Sequence, residues 1–137
     1  MNNILFFLTP KAMCAFLYDD YTVRQAMEKM EVAGHSALPI LNRRGEYRGT
    51  LTEGDVLWAM KNLCGLDLKK AETHRIMEIP RRKDNVPVRV TTAMQTLVER
   101  ATNQNFVPVV DDKDTFIGII TRRAIMKYCS QRLFEDT

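Results

Sequence analysis

Two stretches of this 137-residue chain combine residue types and spacings that can do chemistry. Thr52-Glu-Gly-Asp55 sets a hydroxyl three residues before a carboxylate. That spacing makes a helix capping box, in which each side chain satisfies a free backbone N–H, and it needs no ligand to explain it. The same pair also suits a ligand, because two carboxylate oxygens can accept from two hydroxyl donors at once beside a helix N-terminus that favours anions. Further along, Thr121-Arg122-Arg123-Ala124 keeps the hydroxyl, replaces the carboxylate by alanine and adds two guanidiniums. Cations in a first helical turn oppose the helix dipole at about 0.3–1 kcal/mol each. The two arginines therefore either face solvent, pair with acids such as Asp111 or Asp112, or cradle a phosphate together with the Thr121 hydroxyl.

Other chemistries lack their residues. His35 and His74 are far apart in sequence, and no nucleophile elbow or metal-spaced Cys/His group occurs, so neither a catalytic set, a metal site nor a cofactor is predicted. Cys14, Cys64 and Cys129 are odd in number, widely spaced and without a C-x-x-C pair, which predicts reduced thiols in a cytoplasm. The net charge of +3 permits small anionic ligands. No basic recognition helix or aromatic stacking motif points to nucleic acid. A balance of 45% hydrophobic and 27% charged residues predicts a globular domain. The apolar run from Ile4 to Leu8 is far shorter than the roughly 20 residues that span a bilayer, and lacks the features of a signal peptide.

The elements that would position the two stretches come in two copies. Moving Ser36–Met60 along by 69 residues lays Pro39 on Pro108, Gly49 on Gly118 and Thr52 on Thr121, and the apolar positions coincide as well. Each copy reads as helix, strand, turn, strand, helix. The first helix opens on the capping box Thr22-Val-Arg-Gln25, carries the stripe Val23, Ala26, Met27, Met30 and Ala33, and stops at Gly34. The second copy is predicted to open likewise, on Thr92-Ala-Met-Gln95. Strands follow at Ala37–Leu41 and Phe106–Val110, then the polar turns Asn42–Gly45 and Asp111–Asp114, and a closing helix begins after Thr52 or Thr121. The polar stretch from Asp67 to Arg89 is expected to be linker plus a leading strand at Val86, Val88 and Val90, matched in the first copy near Ala12 to Leu17. The expected division is residues 1–66 for the first repeat and 67–137 for linker and second repeat. Trp58 and the methionines are expected in core and dimer surface, and Arg81–Lys83 in a solvated linker that can reach phosphates.

With Gly34-His-Ser-Ala-Leu-Pro-Ile40, Gly49-Thr-Leu-Thr-Glu-Gly-Asp55, Asn105-Phe-Val-Pro-Val109 and Gly118-Ile-Ile-Thr-Arg-Arg-Ala124, the chain resembles the CBS-pair (Bateman) family from about Leu8 to Tyr128. The resemblance implies an α/β fold in which two βαββα-type repeats pack about a pseudo-twofold axis, with modules pairing into a flat homodimer. It implies a regulatory module that binds an adenine nucleotide (AMP, ATP, S-adenosylmethionine or cyclic di-AMP) in two clefts between the repeats and does no chemistry. In one cleft Asp55 would take the ribose hydroxyls and Thr52 the sugar or phosphate, with Met77, Ile79, Gln104 and Asn105 as the base-binding wall. In the other, Thr121, Arg122 and Arg123 would face a wall of Lys11, Ala12, His35, Ser36 and Ala37. The Thr-Arg-Arg motif, with Ile79-Pro80-Arg81 upstream, is similar to that of small bacterial CBS proteins that bind cyclic di-AMP. The other reading is a dimer surface that docks a partner protein, with nucleotide only tuning the contact.

Overall fold

The structure, a computed structural model, describes residues 3–135. In chain order it runs β1 (Thr9–Pro10), β2 (Leu17–Tyr18), α1 (Val23–Ala33), β3 (Ala37–Leu41), β4 (Tyr47–Thr52), α2 (Glu53–Asn62), α3 (Leu68–Ala71), β5 (Val88–Arg89), α4 (Met94–Asn103), β6 (Phe106–Val110), β7 (Phe116–Thr121) and α5 (Arg122–Glu135). Single 3-10 turns lie at Ile4–Phe7, Lys11–Met13 and Ile76–Glu78. The fold is mixed α/β with two sheets, ordered β2-β3-β4 and β1-β7-β6-β5. No helix among the described residues is long and apolar enough to cross a membrane.

The duplication is structural down to individual bonds. Ala37 pairs with Thr52 and Leu41 with Tyr47, while Phe106 pairs with Thr121 and Val110 with Phe116, and the register shifts at the same place in each hairpin. The turns match too. Asn42 Oδ1 accepts from the N–H groups of Arg44 and Glu46, and Asp111 Oδ1 accepts from those of Lys113 and Thr115. Each turn then closes on a left-handed residue, Gly45 or Asp114.

Helix α1 carries the expected capping box at Thr22 and Gln25 and ends on left-handed Gly34. The expected box at Thr92 does not form. Helix α4 starts one residue later, with Ala93 at its N-cap, and the Thr92 hydroxyl instead accepts from the Arg89 N–H at 3.1 Å. The two leading strands are shorter than expected, Val88–Arg89 and Leu17–Tyr18, and the first copy has a 3-10 turn at Lys11–Met13 where extended chain was expected.

The chain forms two compact units, each with its own core. One compact unit is Ala15–Asp84, and the other joins the residues up to Cys14 to those from Asn85 onward. Each exchanged segment is held by apolar burial. Ala71, Ile76 and Ile79, spaced through the polar stretch, sit in one core with Leu17, Val23 and Ile40, so residues 71–79 are packed on that core, while Arg82 and Lys83 are exposed. Ile4 is buried in the other core with Val88, Leu97 and Val109. Strand β1 then pairs with β7, placing Pro10 opposite Gly118.

That pairing is tight enough to require glycine. A Cβ on Gly118 would collide with the Thr9 carbonyl oxygen and lie 2.9 Å from Leu8 Cδ1. Gly118→Ala is therefore expected to cost about 1–3 kcal/mol, the scale of an overpacked core, as read by urea unfolding. A loss below 0.5 kcal/mol would mean that β1 is not seated on β7.

Candidate functional site

Within the Ala15–Asp84 unit a cavity of about 320 Å³ opens beside α2. Thr52, Asp55, Trp58, Ala59 and Asn62 line one side, and Ile79, Pro80 and Arg82 line another. Its volume is in the range of small-ligand pockets.

Thr52 ends β4 and caps α2. Its Oγ1 accepts the Asp55 N–H at 3.0 Å, and Asp55 Oδ2 accepts the Thr52 N–H at 3.0 Å, so the capping box is realised. Asp55 is only 6% exposed, and its Oδ1 accepts the Arg82 N–H at 3.0 Å. Each carboxylate oxygen thus holds one backbone N–H and keeps lone-pair capacity for another donor. Cap and ligand contact are compatible functions of one side chain. The remaining potential of the helix start is already opposed by two acids, Glu53 and Asp55. Charge for a phosphate must come from Arg82, on the cavity rim, which is exposed.

The segment carrying Ile79, Pro80 and Arg82 is fastened to β4. Asp84 accepts from the Thr50 N–H at 2.9 Å and from Arg81 Nε and Nη2 at 2.9 and 3.1 Å. Burial pushes the Asp84 carboxyl up, but the Arg81 guanidinium and the Thr50 N–H outweigh it and hold the group below its usual range. Thr50 is 1% exposed, and its hydroxyl lies 2.6 Å from the Tyr47 oxygen. Burial, the dominant influence, pushes the Tyr47 phenol well up.

Of the residues expected at this site, Met77 and Ile79 stand in the same unit as Thr52 and Asp55. Ile79 is 4% exposed and lines the cavity, while Met77 packs on the core. Gln104 and Asn105 belong to the other unit. Gln104 is buried there, its amide bonded to Val86 N and O and to Phe106 O. Asn105 is exposed and accepts from Asn85 Nδ2 at 3.4 Å. Sequence reasoning missed Trp58 and Asn62, assigning Trp58 to core and dimer surface. The signal was present, because Asp55, Ala59 and Asn62 recur at the three-to-four spacing of one helix face, with Trp58 beside Ala59.

In the other unit, Thr121 Oγ1 accepts the Ala124 N–H at 3.1 Å and caps α5. Arg122 is exposed overall, and its hydrogen bonds run to main chain rather than to Asp111 or Asp112. Its Nε donates to the carbonyl oxygens of Ala101 and Gln104 at 2.8 and 3.2 Å, closing the C-terminal end of α4, where a cation suits the dipole. Arg123 is exposed on the first turn of α5. Lys11 and Ala12 share this unit, on a 3-10 turn, whereas His35, Ser36 and Ala37 belong to the other, His35 and Ser36 exposed and Ala37 buried. Among the described residues no group of three or more His, Cys, Asp or Glu could hold a metal.

A duplicated α/β unit, each copy with a Gly-x-x-Thr hairpin running into a capped helix, defines a tandem-repeat module. The CBS domain profile matches twice, over residues 12–62 and 76–131, and the chain belongs to the CBS domain family. No curated protein sequence matches it. Among solved structures it is similar to a CBS domain protein from Streptococcus pneumoniae TIGR4, at 25% identity and a TM-score of 0.81, covering 93% of this chain and 86% of that one. It is also similar to the CbpB protein of Listeria monocytogenes in complex with c-di-AMP, at 19% identity and a TM-score of 0.81, covering 93% and 94%. A third similar structure is CBSX2 in complex with AMP, at 21% identity and a TM-score of 0.75, covering 96% and 98%.

Proposed function

We propose that the chain is a regulatory module that binds an adenine nucleotide in the cavity between α2 and residues 79–82, with Asp55 accepting ribose hydroxyls. The observation that carries this reading is a buried carboxylate whose oxygens each keep acceptor capacity while opening on a 320 Å³ cavity. Thr52 lies beside the sugar and Arg82 meets the phosphate. Nucleotides bound to the similar proteins, c-di-AMP and AMP, support the same ligand class. A thermal-shift panel of AMP, ADP, ATP, S-adenosylmethionine and cyclic di-AMP tests it. A ligand at 100 times its dissociation constant adds about 2.7 kcal/mol of stability, and no shift with any of the five would contradict the proposal.

The second copy lacks the ribose carboxylate, since Ala124 stands in place of Asp55, and presents Arg123 instead. Its ligand preference therefore follows phosphate charge, with Thr121, Lys11 and Ala12 alongside and a cyclic dinucleotide, which has no free ribose diol, as a fitting ligand. Arg123→Ala is expected to weaken phosphorylated ligands by about 1.5–3 kcal/mol in low salt and to leave adenosine unaffected, as measured by calorimetry at two salt concentrations. Equal binding by both forms would make Arg123 an ordinary surface residue.

The module is proposed to act as a homodimer. Helix α5 exposes Met126, Leu133 and Phe134 at 61%, 70% and 74%, at the i, i+7, i+8 spacing of one helix face, which offers an apolar stripe to a second copy. Light scattering is expected to give twice the 15.8 kDa chain mass at micromolar concentration. A 15.8 kDa particle would contradict it.

A further inference from the structure

We propose that Arg81 and Asp84 are positioning residues for the Thr52/Asp55 cavity: their clasp on β4 sets the wall formed by residues 79–82, and with it the affinity for ligand. This rests on the nucleotide reading of the cavity. The two units treat equivalent strand edges differently. In one, main chain covers Gly118, through the β1 pairing of Pro10. In the other, β4 is the edge of its sheet, and a side chain covers Gly49. A Cβ on Gly49 would lie 2.7 Å from Asp84 Oδ1, so glycine leaves room for a carboxylate where Gly118 leaves room for a strand.

The clasp holds the chain on both sides of the cavity wall. Arg81 is bidentate to Asp84, its side chain is 14% exposed, and its Nη1 faces Met77 Sδ at 3.5 Å. Asp84 in turn holds the Thr50 N–H, two residues before Thr52. Between these anchors run Ile79 and Pro80, which line the cavity, and Arg82, whose N–H bonds Asp55. Neither Arg81 nor Asp84 lines the cavity itself. Without the clasp, the wall is tied to the rest of the unit by the burial of Ile79, the Arg82 amide on Asp55 and the local turn bonds Ile79 N–H to Ile76 O and Arg81 N–H to Ile79 O. Ligand would then have to order the segment as it binds, and that ordering reduces affinity.

Calorimetry with AMP and with cyclic di-AMP tests this on Asp84→Ala and on Gly49→Ala, which displaces the carboxylate from the other side. Both are expected to stay folded by circular dichroism and to bind about tenfold more weakly. Val88→Ala, a core truncation in the other unit, is destabilised as well and is expected to bind as wild type does. The emission of the sole tryptophan, Trp58 on the cavity, is expected to shift in ligand-free Asp84→Ala. Affinity within twofold of wild type in folded Asp84→Ala would overturn the clasp, as would an equal loss in Val88→Ala. If the wild type binds neither nucleotide, the nucleotide reading fails, and an unchanged Trp58 emission in Asp84→Ala would overturn the positioning role by itself.

Discussion

Asp55→Ala is expected to lower stability by about 2 kcal/mol and to weaken nucleotide binding by about 10–100-fold. The stability loss has two sources. Removing the capping-box carboxylate costs about 1 kcal/mol. Releasing the Arg82 N–H from Oδ1 removes a second bond, at about 0.5–1.5 kcal/mol. The binding loss follows from hydroxyl bonds to a charged acceptor, at about 1.5–3 kcal/mol. Urea unfolding and calorimetry on the same variant separate the two. A variant that loses the stability but binds as wild type does would reduce Asp55 to a helix cap.

Ile4→Ala is expected to cost about 2–5 kcal/mol, the range for emptying a fully buried aliphatic site. Ile4 is 0% exposed and packs in the core of Val88, Leu97, Val107 and Ile120, residues more than eighty positions away in sequence. The loss should therefore appear as faster hydrogen exchange in β6 and β7, the strands beside that core, rather than only at the N-terminus. A change below 0.5 kcal/mol in urea unfolding would mean that the opening segment is not part of that core.

What could be read from sequence, and what could not, divides along sequence distance. The hairpins, the α1 box and the starts of α2 and α5 were legible because short apolar strands, turn residues and Thr caps are local signals. Thr92 misled because its local alternative, a turn bond from Arg89 N–H, competes with helix capping and wins here. The exchange of end segments was not legible. Ile4 lies in a short apolar run and Ala71, Ile76 and Ile79 in a polar stretch, and their burial in one core or the other is set by the tertiary fold. At the site, Thr52 and Asp55 were legible by type and spacing, and Ile79 through the family resemblance. The Arg81–Asp84 clasp was hidden inside a charge run that looked solvated, because only the fold brings Thr50 and Gly49 against it. That Arg122 Nε closes α4 was not legible either, because this C-cap needs the tertiary placement of Ala101 and Gln104.

The central claim is that an adenine nucleotide binds in the α2 cavity, and the chain carries its own reporter there. Trp58 is the only tryptophan, is 55% exposed and lines that cavity. The direct measurement is a titration of AMP and of cyclic di-AMP followed by Trp58 emission on the wild-type protein. The account predicts a saturable change whose midpoint matches the calorimetric dissociation constant and which is lost or strongly right-shifted in Asp55→Ala. Nucleotide binding seen by calorimetry with Trp58 emission unmoved, or no binding of either nucleotide, would contradict it.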